Sequence, residues 1–242
     1  LAVMMALFGV YLYEQKPEFL ANERHLALLG LILILVTGIA KVLGMIPWEG
    51  AGYLAPVALA TMLIAILLDA HIALMTAAFL AVIVGMAAGQ ELKFSFVALA
   101  SGLAGVLSVR KVSDRSDLTR AGFVVGAVTF ITMLALGLFR AERFLVTYSF
   151  LGLVNGLASA IGTIGLFPYL ESAFGITSQL RLLELSNPNQ PLLRKLLMEA
   201  PGTYHHSMIV GNLAEAAAEA VGGDSLLTRV GAMYHDIGKT KR

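Results

Sequence analysis

The sequence predicts an all-α protein in which a polytopic bundle of seven membrane helices precedes the start of an all-helical soluble domain. Three observations predict this class. Of the 242 residues, 58% are hydrophobic and only 14% are charged, whereas a soluble domain carries about 25% charged residues. Seven apolar segments fill residues 1–170, and several approach the roughly 20 residues that a helical span needs. The remaining positions show helix caps and breaks but no strand pattern.

Short polar loops separate the apolar segments, which become the predicted spans. The first segment starts inside an apolar run, so it is interpreted as the second half of a spanning helix. The third and fifth segments are short, so their ends are the hardest to place. The seven segments are Leu1–Tyr13, Leu26–Leu43, Leu54–Leu68, Ile72–Ala88, Phe94–Val109, Ala121–Phe139 and Phe144–Leu170.

The distribution of Lys and Arg predicts the orientation, because cytoplasmic loops are enriched in these residues. With a cytoplasmic C-terminus, the inner loops carry Lys16, Arg24, Arg110, Lys111, Arg115 and Arg120. The outer loops carry Lys93, Arg140 and Arg143, with Lys41 near an outer helix end. We therefore expect a multi-pass protein of the bacterial cell membrane whose C-terminal part is cytoplasmic.

Beyond the last apolar segment the chain becomes polar. Residues 171–190 are expected to form a connector, and residues 191–242 the first part of a helical domain. Pro191 suits a first helical position, and Thr203 is a plausible N-cap for a helix over 204–221 that Gly222 ends. A further helix begins at Asp224 or Ser225 and runs to about residue 237, where Gly238 would stop it.

Composition also limits the chemistry. A net charge of +1 gives no reason to expect a nucleic-acid partner. The absence of cysteine excludes disulfides, zinc–thiolate sites and a thiol nucleophile. Leu1 lies inside an apolar run and Arg242 directly follows a motif, so both ends are expected to be cuts through a longer protein.

The residues with most chemical information lie in the tail. His206 follows a helix start, and the pair His235-Asp236 ends the next predicted helix. Imidazole and carboxylate suit borderline divalent metals such as iron, manganese or zinc. Asp236 could bridge two ions, which together would activate water and stabilise a leaving oxygen. Lys239 could approach a phosphate as a point charge.

His206 is expected to point into a helical core, because it shares a helical stripe with Ile209, Val210, Leu213 and Ala217. His205 lies about 100° round the helix and is expected to support a ligand rather than to bind metal. Taken singly, each residue also has a structural explanation. A buried histidine can be a hydrogen-bonded core residue, the His-Asp pair can be a cap, and Lys239 can offset the helix dipole.

The tail resembles the seven-transmembrane HD family of bacterial membrane phosphodiesterases, the PgpH-type enzymes. The resemblance is carried by four stretches that span residues 183–188, 199–207, 211–217 and 234–242, the last beginning Tyr234-His235-Asp236-Ile237-Gly238-Lys239. The apolar segments agree with it. It implies hydrolysis of cyclic di-AMP to linear pApA at two divalent ions, iron or manganese, with His206, His235 and Asp236 as metal ligands.

The resemblance also implies an extracytoplasmic sensor domain before Leu1, regulation through the membrane region, and further histidines and an aspartate beyond Arg242. The metal site in this chain is therefore expected to be incomplete and the chain alone inactive. The sequence leaves open a receptor with a non-catalytic nucleotide-sensing domain, a cyclic di-GMP phosphodiesterase, and a homodimer among other assemblies. A transporter is disfavoured because the spans hold few ionisable residues.

Overall fold

The computed structural model describes residues 2–48, 50–110, 112, 114–141 and 143–241, and all regular elements in these ranges are helical. Leu1, Lys111 and Arg242, which the sequence predictions name, lie outside the described residues. The chain forms two compact units, Leu1–Ile176 and Thr177–Arg242. The all-α class predicted from the sequence is confirmed.

The first unit contains nine helices within its described residues. A short 3₁₀ turn, Ala51–Leu54, precedes the fourth. The helices are α1 (Ala2–Gln15), α2 (Pro17–Leu20), α3 (Glu23–Met45), α4 (Val57–Leu67), α5 (Ala70–Ala87), α6 (Leu92–Val109), α7 (Arg115–Arg140), α8 (Arg143–Tyr148) and α9 (Phe150–Phe174).

Five helical stretches in the described part of the chain are long and apolar enough to cross a membrane: Glu23–Met45, Ala70–Ala87, Leu92–Val109, Ser116–Phe139 and Val146–Phe174. Helices α1 and α4 cover the other two predicted segments, but they have only 14 and 11 residues. The multi-pass character is thus supported, and seven complete crossings stay a prediction. The last predicted segment forms two helices, α8 and α9, and α9 continues past Leu170 to Phe174.

Contacts at one end of the first unit join loops that the sequence assigns to the same membrane side. Lys16, after α1, forms a 2.9 Å ion pair with Asp69, in the turn between α4 and α5. The start of α3 and the end of α9 line one shared cavity. There the Arg24 guanidinium lies over Gly175, close enough that an added Cβ would be 2.8 Å away.

The opposite end of the first unit brings together the loops that the sequence assigns to the outer side of the membrane. Trp48, after α3, packs edge-on against Tyr148, with ring centroids 5.9 Å apart. Gly44 contacts the Ala87 backbone closely enough to leave no room for a side chain. The apolar helices therefore alternate in direction along the chain, as the predicted topology requires.

Helix α4 lies at the centre of the first unit and is buried on almost every side. The backbone just before it is not α-helical, so its carbonyl groups need other partners. The buried Asn155 amide of α9 donates to the carbonyls of Tyr53 at 2.8 Å and Ala55 at 3.2 Å. Non-helical backbone at membrane depth is tolerated only when its polar groups are satisfied in this way.

Helices α7 and α9 approach each other through glycines. Gly122 and Gly126 on α7 face Gly152 and Gly156 on α9. A Cβ on Gly152 would lie 2.6 Å from the Phe130 amide nitrogen, and one on Gly156 would collide with the Gly126 backbone. Each pair has the Gly-xxx-Gly spacing that permits close backbone contact between membrane helices.

The second unit is formed by four helices and a closing 3₁₀ turn. They are α10 (Gln179–Ser186), α11 (Pro191–Glu199), α12 (Pro201–Ala220), α13 (Ser225–Tyr234) and the turn Ile237–Lys241. Pro191 occupies the first turn of α11, as predicted. The predicted N-cap Thr203 is wrong, because α12 already begins at Pro201, whose fixed φ suits a first helical position.

The remaining helix ends in this unit follow the sequence signals in part. Gly222, with φ +72°, follows the end of α12. Asp224 caps α13 by accepting the Leu227 N–H at 2.9 Å. The stop predicted at Gly238 is wrong, because α13 ends at Tyr234 and Gly238 lies inside the 3₁₀ turn.

Candidate metal centre

A small core holds the helices that carry the candidate ligands. Leu193 and Leu196 of α11 pack with Tyr204 of α12 and Met233 of α13. The Tyr234 hydroxyl donates to the Leu185 carbonyl at 2.9 Å, which ties the end of α13 to α10. The last turn of α13 is therefore fixed immediately before the His-Asp pair.

Helices α12 and α13 contact each other at Gly211. An added Cβ there would meet the Arg229 carbonyl and Met233 at 3.4 Å. The packing brings the imidazole of His206 beside that of His235, with ring centroids 5.9 Å apart and planes inclined by 61°. Two predicted ligands from separate helices thus lie together.

Hydrogen bonding orients His235. Its Nδ1 lies 2.7 Å from the Ala232 carbonyl oxygen. Because a carbonyl can only accept, Nδ1 carries the proton and Nε2 is free to bind a cation. The same Nε2 lies 3.3 Å from Oδ2 of Asp236. Donor atoms this close together can contact the same cation.

Lys239 shares the Asp236 carboxylate. Its Nζ donates to Oδ2 at 2.6 Å, one turn further along the chain. This hydrogen bond holds the pKa of the Asp236 carboxyl below its usual value, although partial desolvation opposes it. Asp236 is therefore ionised near neutral pH and able to accept from or bind cations. Lys239, predicted to approach a phosphate, contacts the carboxylate instead in this structure.

The predicted burial of His206 is wrong. His206, Ile209 and Leu213 lie on an exposed face of α12. The buried stripe of this helix is instead Tyr204, Ser207 and Gly211. Both stripes have helical spacing, and only the second includes Gly211, which lies against α13.

His205 lies outside the cluster of candidate ligands. Its exposed ring packs edge-on against Tyr204, with centroids 5.6 Å apart. A supporting role for His205 at a metal therefore has no contact in its favour. The sequence does not predict the contribution of the Ala232 carbonyl, because a backbone group gives no side-chain signal. Tyr234 lies in the recognised motif, but the sequence predicted no role for it.

The donor chemistry of the cluster fits a divalent metal. Two imidazoles and one carboxylate are the ligands that borderline ions prefer. Within the described residues, however, no three His, Asp or Glu side chains are already arranged as a complete ligand set. The structure brings His235 and Asp236 together, with His206 beside them.

Comparison with protein families agrees with both units. Residues 1–178 match the family described as 7TM receptor with intracellular HD hydrolase. Residues 203–242 match the HD domain, whose assignment indicates dependence on divalent metal. The second match contains all the candidate ligands.

Curated relatives extend the match to the whole chain. It is 41% identical over 259 aligned positions to the cyclic-di-AMP phosphodiesterase PgpH of Bacillus subtilis, covering 100% of this chain and 36% of the relative. The PgpH of Listeria monocytogenes is 42% identical over 78% of this chain and 27% of its own length. An uncharacterised Synechocystis protein is 41% identical over 59% of this chain and 18% of its own.

The chain thus spans about a third of the length of the PgpH relatives it matches. No solved structure matches it. The family model covers most of the chain, and the HD motif lies in the unit that follows it. The chain belongs to the family of 7TM receptors with an intracellular HD hydrolase.

Proposed function

We propose that the whole protein is a membrane-anchored, metal-dependent phosphodiesterase that hydrolyses cyclic di-AMP to linear pApA. The observation that carries the proposal is the meeting of His206 and His235, from different helices, beside Asp236. The identity with two cyclic-di-AMP phosphodiesterases supports the substrate. We place the protein in a bacterial cell membrane with the second unit on the cytoplasmic side, where a nucleotide messenger is available.

Each residue of the cluster has a chemical task in this proposal. His206, His235 and Asp236 would hold the metal, which would activate water and polarise the phosphate when bound. The Ala232 carbonyl keeps His235 in the tautomer that presents Nε2. Lys239 donates to Asp236, and its ammonium group would be able to contact a phosphate oxygen if a metal held that carboxylate.

The three side chains do not provide enough donors for two ions. We propose that further ligands in the whole protein complete a binuclear iron or manganese site, and that a sensor domain outside the membrane controls it. Residues 1–242 alone are then expected to be inactive and to bind manganese weakly. Calorimetry would contradict this if it found two tightly bound ions per chain.

The function is tested with His235→Ala and Asp236→Ala in the full-length protein. Because loss of a group that merely supports a metal ligand costs about 10–100-fold, loss of a ligand should reduce cyclic di-AMP hydrolysis at least about a hundredfold. His71→Ala, an exposed histidine at the start of α5, is the matched control and should retain activity. Unchanged turnover in the cluster variants would refute the assignment.

Two alternatives give different results in the same assay. A non-catalytic receptor would bind cyclic di-AMP without hydrolysing it, whatever metal is supplied. A cyclic di-GMP phosphodiesterase would lose activity in the same variants but prefer the guanine substrate.

A further inference from the structure

A groove between α6 and α7 lies beside the basic loop that joins them. Its cavity measures about 770 Å³, which is within the 300–1,000 Å³ range of ligand pockets. Leu107 of α6 and Val124 and Val128 of α7 line its apolar part. Leu107 and Val124 are exposed, so the groove opens away from the helix bundle rather than into it.

Arginines lie at the loop end of the same groove. Arg110 follows α6, and Arg120 lies in the second turn of α7. Arg110 forms no ion pair with any residue that the structure describes. The Arg120 side chain is 85% exposed and reaches Asp117 only at 4.0 Å. Both guanidinium groups are therefore available to an anion.

The one carboxylate in this lining is already engaged. Asp117 accepts the Asp114 N–H at 3.2 Å at the start of α7, where a helix N-terminus stabilises negative charge. Two arginines and one aspartate leave the described lining with a net charge of +1. An anion at the loop end would satisfy this charge.

The apolar part of the groove indicates what kind of anion would fit. From Arg120 to Val128 the groove follows α7 for about 12 Å, at 1.5 Å per residue. A free phosphate would occupy only the charged end, whereas a phospholipid would fill both. The inner leaflet, which the predicted topology places at this loop, is rich in anionic lipid.

We propose that this groove binds one anionic phospholipid. Its phosphate contacts Arg110 and Arg120, and an acyl chain lies along Leu107, Val124 and Val128. The site is separate from the candidate metal centre and does not depend on its activity.

Native mass spectrometry of the purified protein in detergent tests the proposal with three probes: phosphatidylglycerol, phosphatidylcholine with the same acyl chains, and inorganic phosphate. Phosphatidylglycerol should bind with one-to-one stoichiometry, roughly ten to thirtyfold more tightly than phosphatidylcholine, because each arginine near an anionic surface contributes to binding. Displacement of the lipid by millimolar phosphate would instead show an anion site without lipid specificity.

Variants separate the two parts of the groove. Arg110→Gln with Arg120→Gln should remove the preference for phosphatidylglycerol, with either single variant replacing the double if it does not fold. Val124→Trp should weaken the binding of both lipids, because the larger side chain fills the apolar part of the groove. Arg24→Gln, on the same predicted membrane side but outside the groove, should change neither the preference for phosphatidylglycerol nor the binding of either lipid. An equal effect of Arg24→Gln and the double variant, or normal lipid binding in Val124→Trp, would overturn the proposal.

Discussion

The two units of the chain differ in how their helices contact one another, although both bury large apolar side chains. In the first, Gly122 and Gly156 lie at the contact between α7 and α9, while the neighbouring Phe123 is exposed. In the second, Leu193 and Leu196 are fully buried in the core. Lipid tails are as apolar as leucine, so membrane helices gain by close backbone contact, whereas water drives large apolar side chains inward. The difference indicates which solvent each unit faces.

One face of the second unit departs from this pattern. Ile209 and Leu213 of α12 are 62% and 68% exposed, on the same side as His206. A face with this composition would be ordinary against lipid but is unusual against water. It borders the cluster of candidate ligands, because His206 lies on the same face.

The largest effect that tests this comparison is expected from Leu196→Ala. Leu196 is 0% exposed in the second unit, and truncation of a buried leucine typically costs about 2–5 kcal/mol. Hydrogen exchange of peptides from α11 to α13 should accelerate accordingly. Leu197→Ala, at a side chain that is 37% exposed, should change the free energy of opening measured by hydrogen exchange by less than about 0.5 kcal/mol. Similar effects of the two variants would mean that the core is misassigned.

A smaller effect is expected from adding a methyl group to the first unit. In Gly156→Ala the new Cβ meets the Gly126 backbone, which cannot move aside as a side chain could. Overpacking of this kind costs about 1–3 kcal/mol, measured as a lower midpoint of thermal unfolding in detergent.

Gly165→Ala is the matched control on the same helix. No atom lies within 4 Å of the Cβ that it would add. Alanine favours helix over glycine by up to about 1 kcal/mol, so this variant should unfold at the same or a higher temperature. Equal destabilisation by both variants would contradict close packing of α7 against α9.

The smallest effect concerns the ion pair of Lys16 and Asp69. Burial raises the pKa of the Asp69 carboxyl, but hydrogen bonds from Lys16 and from the N–H groups of Ile72 and His71 outweigh it and lower the pKa below its usual value. The hydrogen bond to Asp69 raises the pKa of Lys16, and desolvation opposes it. The stabilisation is thus present above about pH 4 and lost as pH falls further. It is also lost as pH rises beyond about 10.5.

Asp69→Asn isolates this charge, because asparagine is an equally good N-cap. Between pH 5 and 9 the variant should unfold at a slightly lower temperature than the wild type. The loss of unfolding free energy should be that of an exposed ion pair, at most about 1 kcal/mol. The difference should shrink as the pH falls below about 4. A difference that persists unchanged at pH 3 would show that the ion pair contributes nothing.

Hydropathy and caps predicted much of the fold because they act locally. The apolar runs predicted the long helices, and of the two caps predicted for α13, Asp224 is the one that the structure has. The predicted N-cap Thr203 failed because Pro201 and Thr203 both suit a helix start, and the pattern alone could not choose between them.

The candidate site was less predictable than the fold. The motif identified His206, His235 and Asp236, but periodicity put His206 on a buried stripe. Two stripes of α12 have equivalent spacing, and packing against the neighbouring helices buries the other. The hydrogen bond from His235 to the Ala232 carbonyl also depends on where α13 ends. The sequence predicted this end at Gly238, whereas the helix ends at Tyr234.

Asn155 has a consequence for how the chain is made. It follows the carbonyls of Tyr53 and Ala55 by 102 and 100 positions. During synthesis the side-chain amide of Asn155 cannot reach these carbonyls until α9 has left the ribosome. At 11 residues, α4 is about 16 Å long, roughly half the hydrocarbon thickness, and is a weak insertion signal by itself. The helix at the centre of the membrane unit is therefore synthesised early, but its contact with Asn155 can form only after α9 has been synthesised.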